Sequence, residues 1–147
     1  MSDNAQELSG QYFYRDEGTE MKQILSHLPN RKEIYSTIID YDFNSHFIVA
    51  VQKPNYEDYK NMVGFKLRDD LKKYPTNSEK DVAQSEGEAD SILKNDPFYK
   101  NILAHKLNYW IIVNERDTVF EPLTKQEYQN MRTKLEIPKS VRISTLN

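Results

Sequence analysis

An α+β fold, a mostly antiparallel sheet with helices packed on it in a single domain, is predicted by three stretches of this sequence. Asn108 to Val113 reads Asn-Tyr-Trp-Ile-Ile-Val and holds the only tryptophan. Apolar on both faces, it suits a central strand covered on each side. Ile34 to Tyr41 and Phe47 to Gln52 are β-branched and aromatic runs, and Asp42 to His46 between them supply the turn chemistry of a hairpin. Thr124 to Glu127 forms a capping box that opens a helix, whose Tyr128, Met131 and Leu135 make its buried stripe.

The other elements follow from local signals. Met1 to Leu8 are polar and without periodicity, so residues 1–9 read as a flexible lead that would serve as a tether, and residues 10–147 as the folded domain. Gly10 to Arg15 is aromatic-rich and ends at the turn signal Asp16-Glu17-Gly18, giving a first strand. Met21, Ile24, Leu25 and Leu28 recur at helical spacing between Thr19 and Pro29, which predicts a short helix over 19–28. In the hairpin, Ile34, Ser36 and Ile38 fall on one face, with Tyr35, Thr37, Ile39 and Tyr41 on the other.

Tyr59, Val63, Leu67 and Leu71 recur every fourth residue and favour a helix over 56–74, which Gly64 weakens and Pro75-Thr76-Asn77 ends. Ser78 with Asp81 opens a second helix, with Val82, Ser85, Ala89, Ile92 and Leu93 on one face. Asp96-Pro97 starts a third, which runs to Lys106. After the helix that Pro138 closes, Val141 to Ser144 alternates like a last edge strand.

Composition narrows the function classes. Twenty basic and 23 acidic residues leave a net charge of -3 with no long single-sign block, so there is no electrostatic footprint for nucleic acid. The chain has no cysteine, which excludes disulfides, thiolate catalysis and cysteine-ligated zinc. No run approaches the ~20 apolar residues that span a bilayer. Met1-Ser2-Asp3-Asn4 would also fit an expression start that follows a removed targeting segment.

No catalytic, cofactor-binding or metal-binding residue is assigned. His27, His46 and His105 lie far apart and share no metal-type spacing. Asp40, Asp42 and Glu121 are the acids beside strand ends where a general acid and base would be held, yet turn-forming and solubilising roles explain them equally. The four glycines form no phosphate-cradling pattern, and no cofactor is expected. Tyr12, Tyr14, Tyr35, Tyr41, Tyr109 and Tyr128 would line an aromatic surface for a peptide or glycan, or else pack their rings inward and hydrate their hydroxyls. Asn108 reads as a turn residue leading into its strand.

The runs Ile38 to Asp42, Phe47 to Gln52, Asn108 to Ile112 and Glu121 to Thr124, with Glu127-Tyr128, resemble a family of small uncharacterised bacterial envelope proteins, many of them lipid-anchored. The resemblance covers most of Ile34 to Ile143 and brings no activity and no site residue. It implies a precursor with a signal ending in a lipidated cysteine near Ser2, a pattern from which this cysteine-free chain departs. The function expected is a non-enzymatic, lipid-anchored binding or interaction domain of the bacterial envelope. Its ligand or protein partner is unknown, and it would meet a membrane only through that anchor. The rival is a small cytosolic partner-binding protein of the immunity or antitoxin kind, whose acidic balance would steer it to a basic partner.

Overall fold

The computed structural model describes residues 5–70, 73, 74, 76 and 78–144. In chain order the elements are β1 (Ala5–Glu7), β2 (Tyr12–Asp16), β3 (Lys22–Ser26), β4 (Ile38–Phe43) and β5 (Phe47–Gln52). Then come α1 (Tyr56–Phe65), a π-helical turn (Lys66–Asp70), α2 (Glu79–Asn95) and α3 (Pro97–Leu103). The chain closes with β6 (Asn108–Val113), β7 (Thr118–Leu123) and α4 (Lys125–Lys134). The class is α+β, with two antiparallel sheets ordered β1-β2-β3 and β4-β5-β6-β7. The chain divides into two compact units, Met1–Pro54 with Lys106–Asn147, and Asn55–His105.

In the first unit all six residues of β6 are buried, as a central strand requires. Its register against β5 pairs Val49 with Ile111 and Ala50 with Trp110, and directly opposed residues share a face. One face carries Val49, Val51, Tyr109, Ile111 and Val113, which pack with Tyr128 of α4 and with Ile137, Val141 and Ile143. The other carries Ile48, Ala50, Gln52, Asn108, Trp110 and Ile112, and meets the three-stranded sheet through Tyr14 stacked on Tyr41 at 4.3 Å. A buried amide lies on that face. Gln52 Nε2 donates to the Tyr35 carbonyl at 2.8 Å, while its Oε1 accepts from Asn108 Nδ2 at 3.1 Å and from the Trp110 indole at 3.0 Å.

The structure moves several predicted elements. Residues 19–28 hold strand β3, not a helix. The ladder to β2 pairs Tyr14 with Ile24, and Ile24 exchanges backbone bonds of 2.8 and 2.9 Å with Ile34, so sheet pairing overrides the helical spacing. Met21 and Leu28 are exposed as a result. The first hairpin strand begins at Ile38, four residues late, and Ile34 contributes only that isolated bridge. A bulge between Ile38 and Asp40 leaves Ile39 exposed and turns Ile38 and Tyr41, predicted on opposite faces, toward the same one.

Of the predicted lead, residues 1–4 lie outside the described residues, and Ala5–Glu7 pairs with β2 as a short edge strand. Val141 to Ser144 alternates in burial, yet it makes no backbone ladder to β4. The N–H groups of Arg142 and Ser144 go instead to side chains described below, and that of Val141 to the Pro138 carbonyl.

In the second unit α1 stops at Phe65 and the chain loosens into the π-helical turn, so the helix predicted over 56–74 is shorter. Leu71, Pro75 and Asn77 of that prediction lie outside the described residues. The predicted caps hold. Ser78 accepts the Asp81 N–H at 3.2 Å and Asp96 accepts that of Phe98 at 2.9 Å. In the first unit the capping box closes at 3.1 and 2.8 Å between Thr124 and Glu127.

Two glycines give opposite expectations. Gly10 sits at φ +64, and a Cβ there would stand 2.3 Å from Asn114 Oδ1, whose amide nitrogen is tied to Ser9 Oγ at 2.6 Å. Gly10→Ala should therefore destabilise the chain by about 2 kcal/mol. Gly87 lies within α2 with nothing within 4 Å of a built Cβ, so Gly87→Ala should stabilise by about 1 kcal/mol. Denaturant midpoints of the two variants check both signs, and equal shifts would contradict this reading of the two positions.

Candidate functional site

The three acids nominated for acid and base work are not brought together. Asp40 and Asp42 lie on β4 and Glu121 on β7, the two edges of the four-stranded sheet, about three strand spacings or ~14 Å apart. Glu121 Oε1 accepts from Lys32 Nζ at 2.9 Å in solvent. Asp40 Oδ1 takes the N–H of Tyr41 at 2.9 Å, and its Oδ2 takes the N–H and hydroxyl of Ser144, both at 2.8 Å. Asp42 repeats the arrangement with the N–H groups of Phe43 at 2.9 Å and Arg142 at 3.0 Å. Carboxylates bound in this way to backbone donors of two segments hold the chain together.

The histidines are equally dispersed. The His27 ring, just after β3, stacks on Phe13 of β2 at 4.4 Å, with Nε2 at 2.9 Å from both oxygens of Glu7 on β1, the strand beyond. His46 pairs with Glu115, joining the turns that follow β4 and β6. His105 Nδ1 donates to the Asn101 carbonyl at 3.0 Å. Among the described residues no group of three or more histidine and carboxylate side chains is placed to hold a metal.

The six tyrosines divide. Tyr12, Tyr35, Tyr109 and Tyr128 are buried core residues. Tyr12 donates its hydroxyl to the Lys32 carbonyl at 3.0 Å, and Tyr128 accepts from Arg132 Nη1 at 3.0 Å while that guanidinium lies 5.6 Å over its ring. Tyr14 and Tyr41 are half-buried, stacked where the two sheets meet, and the Tyr41 hydroxyl donates to Gln6 Oε1 on β1. Burial, then the charge of Asp16, pushes the Tyr14 phenol up to about 12. Burial with the charges of Asp16 and Asp40 raises Tyr41 as well. Both phenols are thus neutral hydrogen-bonding groups at physiological pH, fit for contact and not for proton abstraction.

Of the six, this pair is half-buried and not in the core. The sequence placed both tyrosines on strands but did not connect Gln6, which sat in the stretch read as a flexible lead. The structural use of Asp40 and Asp42 was also missed. Its signal was their spacing of two on a strand, opposite a tail that alternates in the same period.

In the helical unit, the acids of α2 tie the segment before it. Thr76 donates through its N–H and hydroxyl to Asp81 at 3.0 and 2.5 Å. Lys73 and Tyr74 both donate to Glu88 at 2.7 Å, and Arg68 Nη1 donates to Ser85 Oγ at 2.6 Å. Tyr56, from the start of α1, shares Asp90 with Lys94. The Asp90 hydrogen bond raises the Tyr56 phenol to about 12. Among the described residues, the α2 carboxylates Asp81, Glu88 and Asp90 are therefore engaged within the chain.

Residues 82–147 match a family described as "Protein of unknown function (DUF3997)". The match begins within α2 and runs through β6, β7 and α4, so it holds the central strand but neither Tyr14 nor Tyr41. Neither a curated protein nor a solved structure matches the chain.

Hydrogen bonds from Thr76, Lys73 and Lys94 respectively hold the Asp81, Glu88 and Asp90 carboxyls below their ordinary values. Groups lowered on folding stabilise the fold above their unfolded values of 3.8 for aspartate and 4.5 for glutamate. That contribution is lost as pH falls through the lowered values. The full chain should lose stability on acidification in this range, and the variant Asp81→Asn/Glu88→Gln/Asp90→Asn should lose less. Thermal unfolding followed by helical circular dichroism between pH 6 and ~2.5 checks this. Parallel profiles for the two proteins would show that these acids contribute nothing.

Proposed function

We propose that this chain is a non-enzymatic binding domain of the bacterial cell envelope, held there by a lipid at its N-terminal side. The observation that carries the binding role is the half-buried Tyr14–Tyr41 stack with the Gln6 amide bound to one hydroxyl. Stacked tyrosines offer large contact area with polar tips at low entropic cost, suited to a peptide or a glycan. The acids that would have supplied general acid and base chemistry are split between opposite sheet edges and bound to backbone N–H groups or to Lys32. The envelope location rests on the resemblance of the strand and helix motifs, together with the polar start of the chain.

The acidic balance that motivates a cytosolic partner-binding protein has a second explanation, because much of the α2 charge is used internally. The location is tested by isolating the protein from its native cell and measuring the mass of its N-terminal peptide. A diacylated cysteine ahead of Ser-Asp-Asn is the expected result. An unmodified Met1 or Ser2 would overturn the anchor and move the search to soluble protein partners.

A further inference from the structure

The two sheets of the first unit have four edges, and among the described residues three of them are occupied or blunted. Along β3, Ile24 exchanges both backbone bonds with Ile34. Along β4, Asp40 and Asp42 take the N–H groups of Ser144 and Arg142. β7 carries Pro122, which has no N–H to offer, and its Glu121 is held by Lys32. The fourth edge is β1.

One bond sets which way its backbone groups face. Leu8 donates its N–H to the Tyr12 carbonyl at 2.9 Å, so in the register that pairs Gln6 with Tyr14 the backbone groups of Leu8 and Gln6 turn to β2, and those of Ala5 and Glu7 turn away. All three residues of β1 are exposed, and the outward groups of Ala5 and Glu7 meet no partner among the described residues. A strand this short and this exposed is not held by burial. Two side chains pin it instead: Gln6 Oε1 accepts the Tyr41 hydroxyl from the other sheet, and Glu7 lies 2.9 Å from His27 Nε2. The free edge is thus presented in a fixed extended form, which lowers the ordering cost of pairing with it.

We propose that β1 is the docking edge for an extended peptide segment of a protein partner, which adds as a fourth strand to the β1-β2-β3 sheet. This rests on the reading of the chain as a binding domain and narrows its ligand from peptide or glycan to peptide. An N–H and C=O turned outward at every second residue match the repeat of another extended backbone, which a sugar does not share. Gln6 and Tyr14 are paired and share a face, so the side chain that the added strand sets beside Gln6 falls on the side of the Tyr14–Tyr41 stack. That position gives the two rings their part in selecting the partner.

The full chain is panned against a displayed library of random linear heptapeptides, and a selected peptide is synthesised. With each of its residues N-methylated in turn, loss of affinity should alternate along the peptide: about fivefold or more where the N–H donates into the edge, and little at the residues between. Ala5→Pro removes one outward N–H and leaves the pairing of Gln6 with Tyr14, so it should weaken the unmodified peptide by about fivefold. Amide exchange at Gln6 and Tyr14 checks that β1 stays paired in this variant, and where it does not, the methylation series decides alone. Equal affinities along the series, or a library that yields no binder, would overturn the docking edge. A peptide bound without alternation leaves the binding domain standing, whereas a chain that takes neither a peptide nor any member of a glycan array fails that reading as well.

Discussion

The first unit depends on burying one strand on both faces. Each backbone group of β6 must find its partner in β5 or β7, because no water reaches it, and a polar side chain on that strand is tolerated only when paired. Gln52 resolves the difficulty on the face that holds Trp110. Its oxygen accepts two donors from β6 and its nitrogen satisfies the carbonyl of Tyr35. A leucine there would fill the space but remove the acceptor of the Trp110 indole. This one side chain also fixes register, since a slip of one residue would turn it to the opposite face.

The sequence displayed whatever is determined locally. The caps at Ser78, Asp96 and Thr124 are recognisable because an N-cap needs only its own side chain and an N–H two or three residues on. The central strand was recognisable from six consecutive residues. The region 19–28 was not, because Ile24 and Leu25 satisfy helical spacing and are equally at home on the two faces of a strand; what decides between them is Ile34, ten residues away. The bulge at Ile39 was invisible for a similar reason. It reflects the match of β4 to β5, not any turn residue of its own.

Asp40, Asp42 and Glu121 each sit beside strand ends in the sequence, but only the sheet order puts them on opposite edges. Four of the six tyrosines pack their rings in the core, Tyr12 and Tyr109 from strands, Tyr128 from α4 and Tyr35 from the segment before β4, and the hydroxyls of Tyr12, Tyr35 and Tyr128 are hydrogen-bonded. The pairing of Tyr14 with Tyr41 across two sheets has no signal in one sequence, since 26 intervening residues separate their strand positions.

β5 and β6 are partners in the sheet, yet the whole of Asn55–His105 lies between them in the chain. Gln52 and Asn108 face each other across a single strand spacing, so the helical unit begins and ends at nearly the same point. The topology is that of an insertion into a hairpin. For assembly this separates fast steps from a slow one: the turns at Asn44–His46 and Asn114–Arg116 bring together β4 with β5 and β6 with β7 at short range, whereas joining the two hairpins closes a long loop. Helices that form first shorten that loop, because a folded insert whose ends already lie together costs the closing sheet little entropy. Nascent chains meet the same order, with the helical unit emerging before the strand that completes the sheet.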